Sequence, residues 1–434
     1  MGTLEAAGFE AWLAGGCVRD MLLGVSPQDF DLTTDALPRE TAELFSACPV
    51  IETGLKHGTL TVVVDGMPLE ITTYRVDGAY TDGRHPDQVY FSKSLEADLS
   101  RRDFTINAMA YNEGRGLKDP FGGREDLEAR LLRCVGDPVL RFQEDALRIL
   151  RALRFSSVLG FSIESQTGEA LRQEKALLAR VSAPRIASEL LKLLCGKNVR
   201  QILLDYTEVL AVPLPELLPL KGLEPRNPRH IYDVLGHTAA AVEAIEPLPR
   251  LRLAALFHDL GKAATFSVDD LGVGHFYGHP QESVRLTADI LERLGLDHRT
   301  RDRVLALIRF HDVSLEAEPA PVKRLLRKLG PEGLRDLILL KRADNLAQHP
   351  RFRQRQLHYD RLEELLETLL AQDACFSRKD LAVKGDDLLA MGMEPGKALG
   401  RMLDRLLELV IEEKLPNEKD TLLNWAETHC SNDD

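Results

Sequence analysis

The hydrophobic pattern of this chain changes once, between residues 115 and 125, and does not change back. Upstream, short β-rich runs such as TLTVVV (59–64) and LEITTY (69–74) are separated by the turn dipeptides Asp65-Gly66 and Asp82-Gly83. The first of these predicts a hairpin joining the two runs, because Asp-Gly supplies the positive φ angles that a two-residue loop needs. Downstream, leucines recur at three- and four-residue spacing, and Gly160, Pro184 and Gly196 mark the stops. The chain is therefore predicted to be α+β, a mixed-sheet head followed by an all-helical remainder. PLPELLPL (213–220) is too proline-rich for one regular helix, and LEPRNPRH (223–230) reads as a linker.

Charge divides the chain further. Acidic and basic residues number 22 and 13 over residues 1–135, 7 and 11 over 136–204, 21 and 19 over 205–350, and 18 and 12 over 351–434. These segments are expected to be a head, a neck, a body and a tail, of which only the neck is basic. The whole carries 55 basic and 68 acidic residues, a formal charge of −13, which excludes a chain that binds polyanions indiscriminately. Six cysteines form no C-x-x-C pair, which suits reduced thiols in a cytoplasmic protein. No leader and no run of eighteen apolar residues is present, so no membrane segment is expected. Nothing in the sequence specifies an oligomeric state.

Two stretches of the head carry chemistry. Gly15-Gly16, followed by Arg19, opens a predicted helix whose backbone N–H groups can approach a phosphate closely. If residues 28–33 form a strand, Asp29 and Asp31 share one face about 6 to 7 Å apart, suited to joint Mg²⁺ ligation. Glu70, on the later strand, is a candidate third carboxylate. In RRDFTINAMA (101–110), Arg101 and Arg102 suit a triphosphate, and Asp103 and Asn107 suit a ribose or a fixed loop.

The neck segment EDALRILRALRF (144–155) places arginines at 148, 151 and 154 between leucines at 147, 150 and 153. On one helix, Asp145 and Arg148 lie at i, i+3, so their tips can face one ligand. A carboxylate beside a guanidinium accepts from an exocyclic amine and donates to the adjacent ring acceptor, a pattern that cytosine and adenine present. Uracil and guanine place a carbonyl where the carboxylate sits, and each good bidentate pair discriminates by roughly 1 to 3 kcal/mol.

GGCVRDMLLG, DFD, KHGTLTV, RRDFTINAMAYN, DPFGGREDL and EDALRILRALRF occur in that order. Together they resemble the class II CCA-adding tRNA nucleotidyltransferase and poly(A) polymerase family, whose bacterial CCA-adding members the tail segment LAVKGDDLLAMGMEPGKALGRML also resembles. The resemblance implies a polymerase-beta-like nucleotidyltransferase head. Asp29 and Asp31 would hold two catalytic Mg²⁺ ions. Gly15, Gly16, Arg19 and Arg102, with Asp103 nearby, would bind the triphosphate, Asp145 and Arg148 would template the base, and Arg151 and Arg154 would complete the phosphate and neck contacts. The partners it implies are CTP, ATP and the 3′ end of tRNA, with the tail binding tRNA. Segment 75–89 matches the flexible loop linked with switching from C to A addition. A specialised A-adding or CC-adding enzyme is the alternative.

The body adds a second constellation. His237, His258-Asp259, His279, His311 and Asp344 follow at separations of 21, 20, 32 and 33 residues, an order similar to the HD metal-dependent phosphohydrolases. Imidazole and carboxylate ligands suit a divalent metal of unspecified identity. His237, His258, Asp259 and Asp344 are assigned to a first metal, and His279 and His311 to a second metal or a phosphate. Asp312 competes with Asp344. The resemblance implies 2′,3′-cyclic phosphodiesterase, phosphatase or 2′-nucleotidase activity on RNA ends, and a chain working mainly through this site is the second alternative.

Overall fold

The computed structural model describes residues 1–52, 54–78, 88–229 and 231–429. They form two compact units, residues 1–218 with 293–295, and residues 219–292 with 296–434. The architecture is α+β: the sheet lies in the N-terminal head, and the rest is overwhelmingly helical.

Besides a short pair at Leu131–Leu132 and Ser162–Ile163, the strands of the first unit are β1 (Ala11–Ala14), β2 (Asp31–Thr34), β3 (Val50–Ile51), β4 (Thr59–Val64), β5 (Met67–Thr73), β6 (Arg75–Asp77), β7 (Val89–Phe91), β8 (Ala110–Asn112) and β9 (Gly116–Lys118). Seven of them form one sheet in the order β3-β4-β5-β2-β1-β8-β9, and β6 pairs separately with β7. Within the large sheet only β2 and β5 run parallel, and their register sets Asp31 opposite Glu70. The β4–β5 hairpin closes on Asp65 and Gly66, at φ 51° and 81°, with Val64 opposite Met67. Both sheet faces are covered: Ala11, Leu32, Val62 and Ile71 belong to one buried cluster, and Trp12, Ala14 and Ala110 to another.

Three expectations are corrected. The strand carrying the paired aspartates begins at Asp31, leaving Asp29 in the preceding bend. Its neighbour β1 ends at Ala14 and turns away at Gly15, φ 82°, so residues before Asp31 have no ladder partner on that side. The neck arginines do not lie on one helix with Asp145. Helix α1 (Pro138–Glu144) stops at Asp145, which is extended (φ −139°, ψ 104°), and α2 (Leu147–Leu159) starts beyond it. Pro184 opens a helix, α3 (Ala183–Leu194), rather than stopping one, because proline in the first turn removes only an N–H that has no helical partner. Gly160 does cap α2, in the left-handed conformation at φ 72°.

The second unit is built from α4 (Val234–Ala244), α5 (Pro249–Phe257), α6 (His279–Arg293), α7 (His298–Phe310), α8 (Pro319–Leu346), α9 (Gln356–Ala371), α10 (Lys397–Ile411) and α11 (Lys419–His429). From Leu251 to Phe257 helix α5 is buried on all sides, Arg252 included, around the apolar run LAALF. Helix α8 bends at Gly330, φ 70°, just before Pro331. Leu381, Val383 and Leu388 close a separate tail core with Leu406 and Leu407 of α10 and Leu422 of α11. Among the described residues, no helix is long and apolar enough to cross a membrane.

Candidate functional site

A pocket of about 430 Å³ opens in the first unit, lined by Gly15, Gly16, Arg19, Asp31, Arg101, Arg102, Asp103, Asn107, Asp145, Arg148, Arg151, Arg154 and Phe155. All nine residues proposed from sequence for nucleotide contact are among them, drawn from stretches more than a hundred residues apart. Asp31 lines the pocket, and Asp29 does not.

The carboxylates at one end repel one another. Burial pushes the Asp31 carboxyl up, Arg102 opposes that, and Asp29 adds to it. Glu70 is raised by burial and by Asp31 and Asp29. Asp31 and Glu70, each raised by neighbouring carboxylates, mark a site that a cation stabilises. Gly15 leaves room for Arg102: a Cβ there would lie 2.6 Å from the guanidinium Nη1.

Each cationic side chain of the wall is braced by an acid. Arg19 donates to Asp20 at 2.7 and 2.8 Å and to Asn107 Oδ1 at 2.8 Å. Asp98, fully buried, accepts from Arg101 at 2.8 Å and lies 3.5 Å from Arg102. Arg151 donates through Nη2 and Nε to Asp103 Oδ2 at 2.6 and 2.8 Å, and Asp103 Oδ1 accepts from Phe104 N–H and Asn107 Nδ2. Burial opposes charge on Asp103, but Arg151 and Asn107 outweigh it and hold the carboxyl at about 2. Arg154 donates to buried Glu189 at 2.7 Å and lies 3.6 Å above the Phe155 ring.

The two base-reading candidates do not pair with each other. Arg148 donates to Glu144 at 2.5 Å, and Asp145 accepts from Arg185 of α3 at 2.8 Å. Asp103 accepts from Arg151, Asn107 and Phe104 N–H, an arrangement that fixes the loop and aims Arg151. Sequence reading missed Asp98, Arg185, Glu189 and Phe155. The i, i+3 and i, i+4 spacing of Asp98 to Arg101 and Arg102 was a usable signal, whereas Arg185 and Glu189 approach across 40 and 35 residues, which spacing cannot reveal. Of segment 75–89, residues 79–87 lie outside the described residues.

The histidines and aspartates of the second unit meet in one cluster. His237, His258 and Asp344 present ligand atoms within 4.8 Å of one another, and so do Asp259, His279 and His311. His237 Nε2 is 2.9 Å and His258 Nε2 3.8 Å from Asp344 Oδ1. Asp259 spans the two groups. Its Oδ2 is 3.2 Å from His258 and 3.5 Å from His237, and its Oδ1 is 3.5 Å from His279 and 3.8 Å from His311. Asp344, not Asp312, joins the imidazoles. Gly261 lets α6 approach, since a Cβ there would lie 2.4 Å from His279 O.

Tautomers follow from the backbone. Nδ1 of His237, His258, His279 and His311 faces the carbonyls of Ala347, Ala255, Phe276 and Ile308. A carbonyl only accepts, so each Nδ1 donates and each Nε2 is turned inward. Burial and His258 hold His311 down at about 3, and burial lowers His279 as well. Two neutral Nε2 atoms therefore face each other at 3.1 Å, lone pair to lone pair, unless a cation lies with them. Burial disfavours charge on His258, but Asp259 and Asp344 push its value up to about 10, so the two carboxylates draw a positive charge, a proton or a metal ion, to its Nε2. The donor set fits a pair of divalent metal ions.

The sequence matches four family models: the Poly A polymerase head domain over residues 11–133, an RNA and SrmB-binding site of polymerase A over 160–220, the HD domain over 229–348, and tRNA nucleotidyltransferase domain 2 over 323–426. It is 33% identical over 426 residues to the CCA-adding enzyme of Lactobacillus helveticus, covering 98% of this chain and 94% of that one. It is 34% identical over 431 residues to the CCA-adding enzyme of Lactiplantibacillus plantarum, covering 98% and 93%. Its structure resembles that of the Bacillus stearothermophilus CCA-adding enzyme solved in complex with CTP, with a TM-score of 0.75, 29% identity, and 100% of this chain and 97% of that chain covered.

Proposed function

The chain belongs to the CCA-adding enzyme family, and from that premise we propose that the pocket of the first unit is where CTP and then ATP are selected and joined to tRNA. The enzyme is a tRNA nucleotidyltransferase that adds and repairs the 3′-terminal CCA without a nucleic-acid template, releasing pyrophosphate. The observation that carries the site assignment is the convergence of nine nucleotide-contact candidates and Asp31 on one pocket.

Asp29 and Asp31 would hold two Mg²⁺ ions, with Glu70 beside them. When bound, these would lower the pKa of the tRNA 3′-hydroxyl and offset charge as it attacks the α-phosphorus. The protein's own groups do the rest. Arg19 and Arg102, with the backbone N–H groups after Gly15, orient the triphosphate. Asp145 accepts from the base amine and Arg148 donates to the ring acceptor, so an incoming cytosine or adenine exchanges with or shares the contacts to Arg185 and Glu144. Asp103 aims Arg151, and Glu189 aims Arg154. Residues 1–135 act as the nucleotidyltransferase head, 136–204 as the neck, 205–350 as the HD-containing body and 351–434 as the tRNA-binding tail, in a cytoplasmic enzyme. The test is incorporation on a tRNA ending before CCA. Wild type should add CMP and AMP but not UMP, and Asp29→Ala protein should add neither. Incorporation by the Asp29→Ala variant would end the metal assignment.

The inward-turned Nε2 atoms favour a second activity, in which the HD cluster holds divalent metal and hydrolyses phosphoesters at RNA ends. Wild type should hydrolyse 2′,3′-cyclic AMP and His258→Ala should not; equal rates would remove the assignment.

A further inference from the structure

The metal cluster of the second unit has a pocket beside it that is lined in part by residues outside the HD-matching residues 229–348. The pocket encloses about 420 Å³, a size that suits a mononucleotide. His311 and Asp344 line it, so it reaches both metal groups. Arg355, His358 and Tyr359, at the turn from the 3₁₀ segment Pro350–Arg355 into α9, line it as well, together with Arg229.

The cations of this lining differ in what they are committed to. Lys341 is spent on structure, its Nζ donating to His311 O and Val313 O at 2.6 Å each. Arg229 and Arg355 are exposed, and among the described residues neither forms an ion pair with a carboxylate. This contrasts with the first unit's pocket, where every guanidinium of the wall has an acidic brace. His358 donates from Nε2 to Leu315 O at 2.7 Å, which fixes its ring and turns Nδ1 away from that bond. Tyr359 adds an aromatic face and a phenol. Asp344 is turned toward the imidazoles, and beside the carboxylate of Asp312 the lining offers Arg229, Arg355, His358 and Tyr359, the cationic and aromatic chemistry that recognises a nucleotide phosphate.

We propose that Arg355, with Arg229, binds the phosphate of a terminal nucleotide over the metal cluster, while Tyr359 packs against its nucleoside. This rests on the HD reading of the cluster and adds to it substrate contacts from Arg355 and Tyr359, beyond the HD match, and from Arg229, at its first residue. The substrate class is a phosphomonoester or 2′,3′-cyclic phosphate, carried by a free nucleotide or by an RNA end.

The test uses the full chain loaded with Mn²⁺, with metal occupancy followed by electron paramagnetic resonance and 2′-AMP binding by calorimetry. Wild type should bind both. Arg355→Ala, a change at an exposed position, should weaken 2′-AMP by about tenfold or more with Mn²⁺ occupancy unchanged, and Arg355→Lys should recover part of the loss. Tyr359→Ala should weaken 2′-AMP while leaving inorganic phosphate binding intact. Displacement of 2′-AMP by an oligoribonucleotide ending in a 2′-phosphate would identify an RNA end as the source, and displacement by mononucleotides alone would identify a free nucleotide. Wild-type 2′-AMP affinity in both Arg355→Ala and Arg229→Ala, with Mn²⁺ bound, would overturn the pocket and leave the HD reading standing. Mn²⁺ occupancy that His258→Ala leaves unchanged would overturn both, since the ions counted would then lie elsewhere than in the HD cluster.

Discussion

Replacing Asp103 by asparagine tests whether the nucleotide pocket is held in shape by buried charge. Asparagine keeps the Oδ1 acceptor that meets Phe104 N–H at 2.9 Å but removes the charge facing Arg151 at 2.6 Å. The Asp103 carboxyl is held at about 2 against an ordinary 3.8. A depression of this size corresponds to about 2 kcal/mol of stability at 1.36 kcal/mol per unit. The folded value is depressed, so this contribution is present above the unfolded value near 3.8 and is lost as pH falls through about 2. The wild-type and variant proteins should therefore differ by a constant amount between pH 7 and 5, and converge as pH falls from about 4 to about 2. Trp12 is buried in the head core, and the other tryptophan, Trp425, lies in the second unit. In a Trp425→Phe background, urea unfolding followed by tryptophan fluorescence reports the first unit alone, and its midpoint should fall with the slope unchanged. The KM for CTP and ATP should rise, because Arg151 loses its aim. An unchanged midpoint, or a difference that drifts between pH 7 and 5, would refute the reasoning.

Gly15→Ala puts a methyl 2.6 Å from Arg102 at a φ of 82°, which costs about 1 to 3 kcal/mol of strain or displaces the guanidinium. Steady-state kinetics should show KM for both nucleotides rising more than kcat falls. Arg185→Ala leaves Asp145 without its partner on α3. Misincorporation of UMP should rise about tenfold, within the 1 to 3 kcal/mol that one base-reading pair supplies; unchanged selectivity would mean that Arg185 does not position Asp145. Titration of tRNA binding against salt should give a shallow slope, because the sequence offers one basic segment, and a steep slope would reveal phosphate contacts elsewhere.

Much of the head was legible because its information is local. The Asp-Gly hairpin follows from two residues, and the Gly-Gly turn from a backbone angle that only glycine adopts easily. The limits were legible less well. Helical spacing runs through EDALRILRALRF without interruption, so nothing local announced that Asp145 leaves the helix; its side chain accepts the N–H of Leu147 and pairs with Arg185, a long-range contact. The strand start at Asp31 depended on where β1 stops, again a property of the partner. In the second unit, the order of histidines and aspartates named the cluster, but the choice of Asp344 over Asp312 lay in which side of α8 meets α4. Residues 355–359 gave no signal at all, since their chemistry exists only where the chain returns to the HD cluster.

The net charge of −13 changes its meaning once these contacts are known. Asp20, Asp98, Asp103, Glu144 and Glu189 all count toward the acidic surplus, and each braces a guanidinium of the nucleotide pocket. A wall of unbraced arginines would attract any polyanion and would leave flexible side chains to be ordered at each binding event. Bracing lowers the bare attraction but fixes the donors beforehand, so less side-chain entropy is lost when a triphosphate arrives. The same pairing suits an enzyme without a template. The protein alone must distinguish cytosine and adenine from uracil and guanine, and donors or acceptors that wander cannot reject a base whose groups are merely exchanged. The acidic excess is thus compatible with RNA chemistry because part of it is built into the site as the counter-charge that holds the reading groups still.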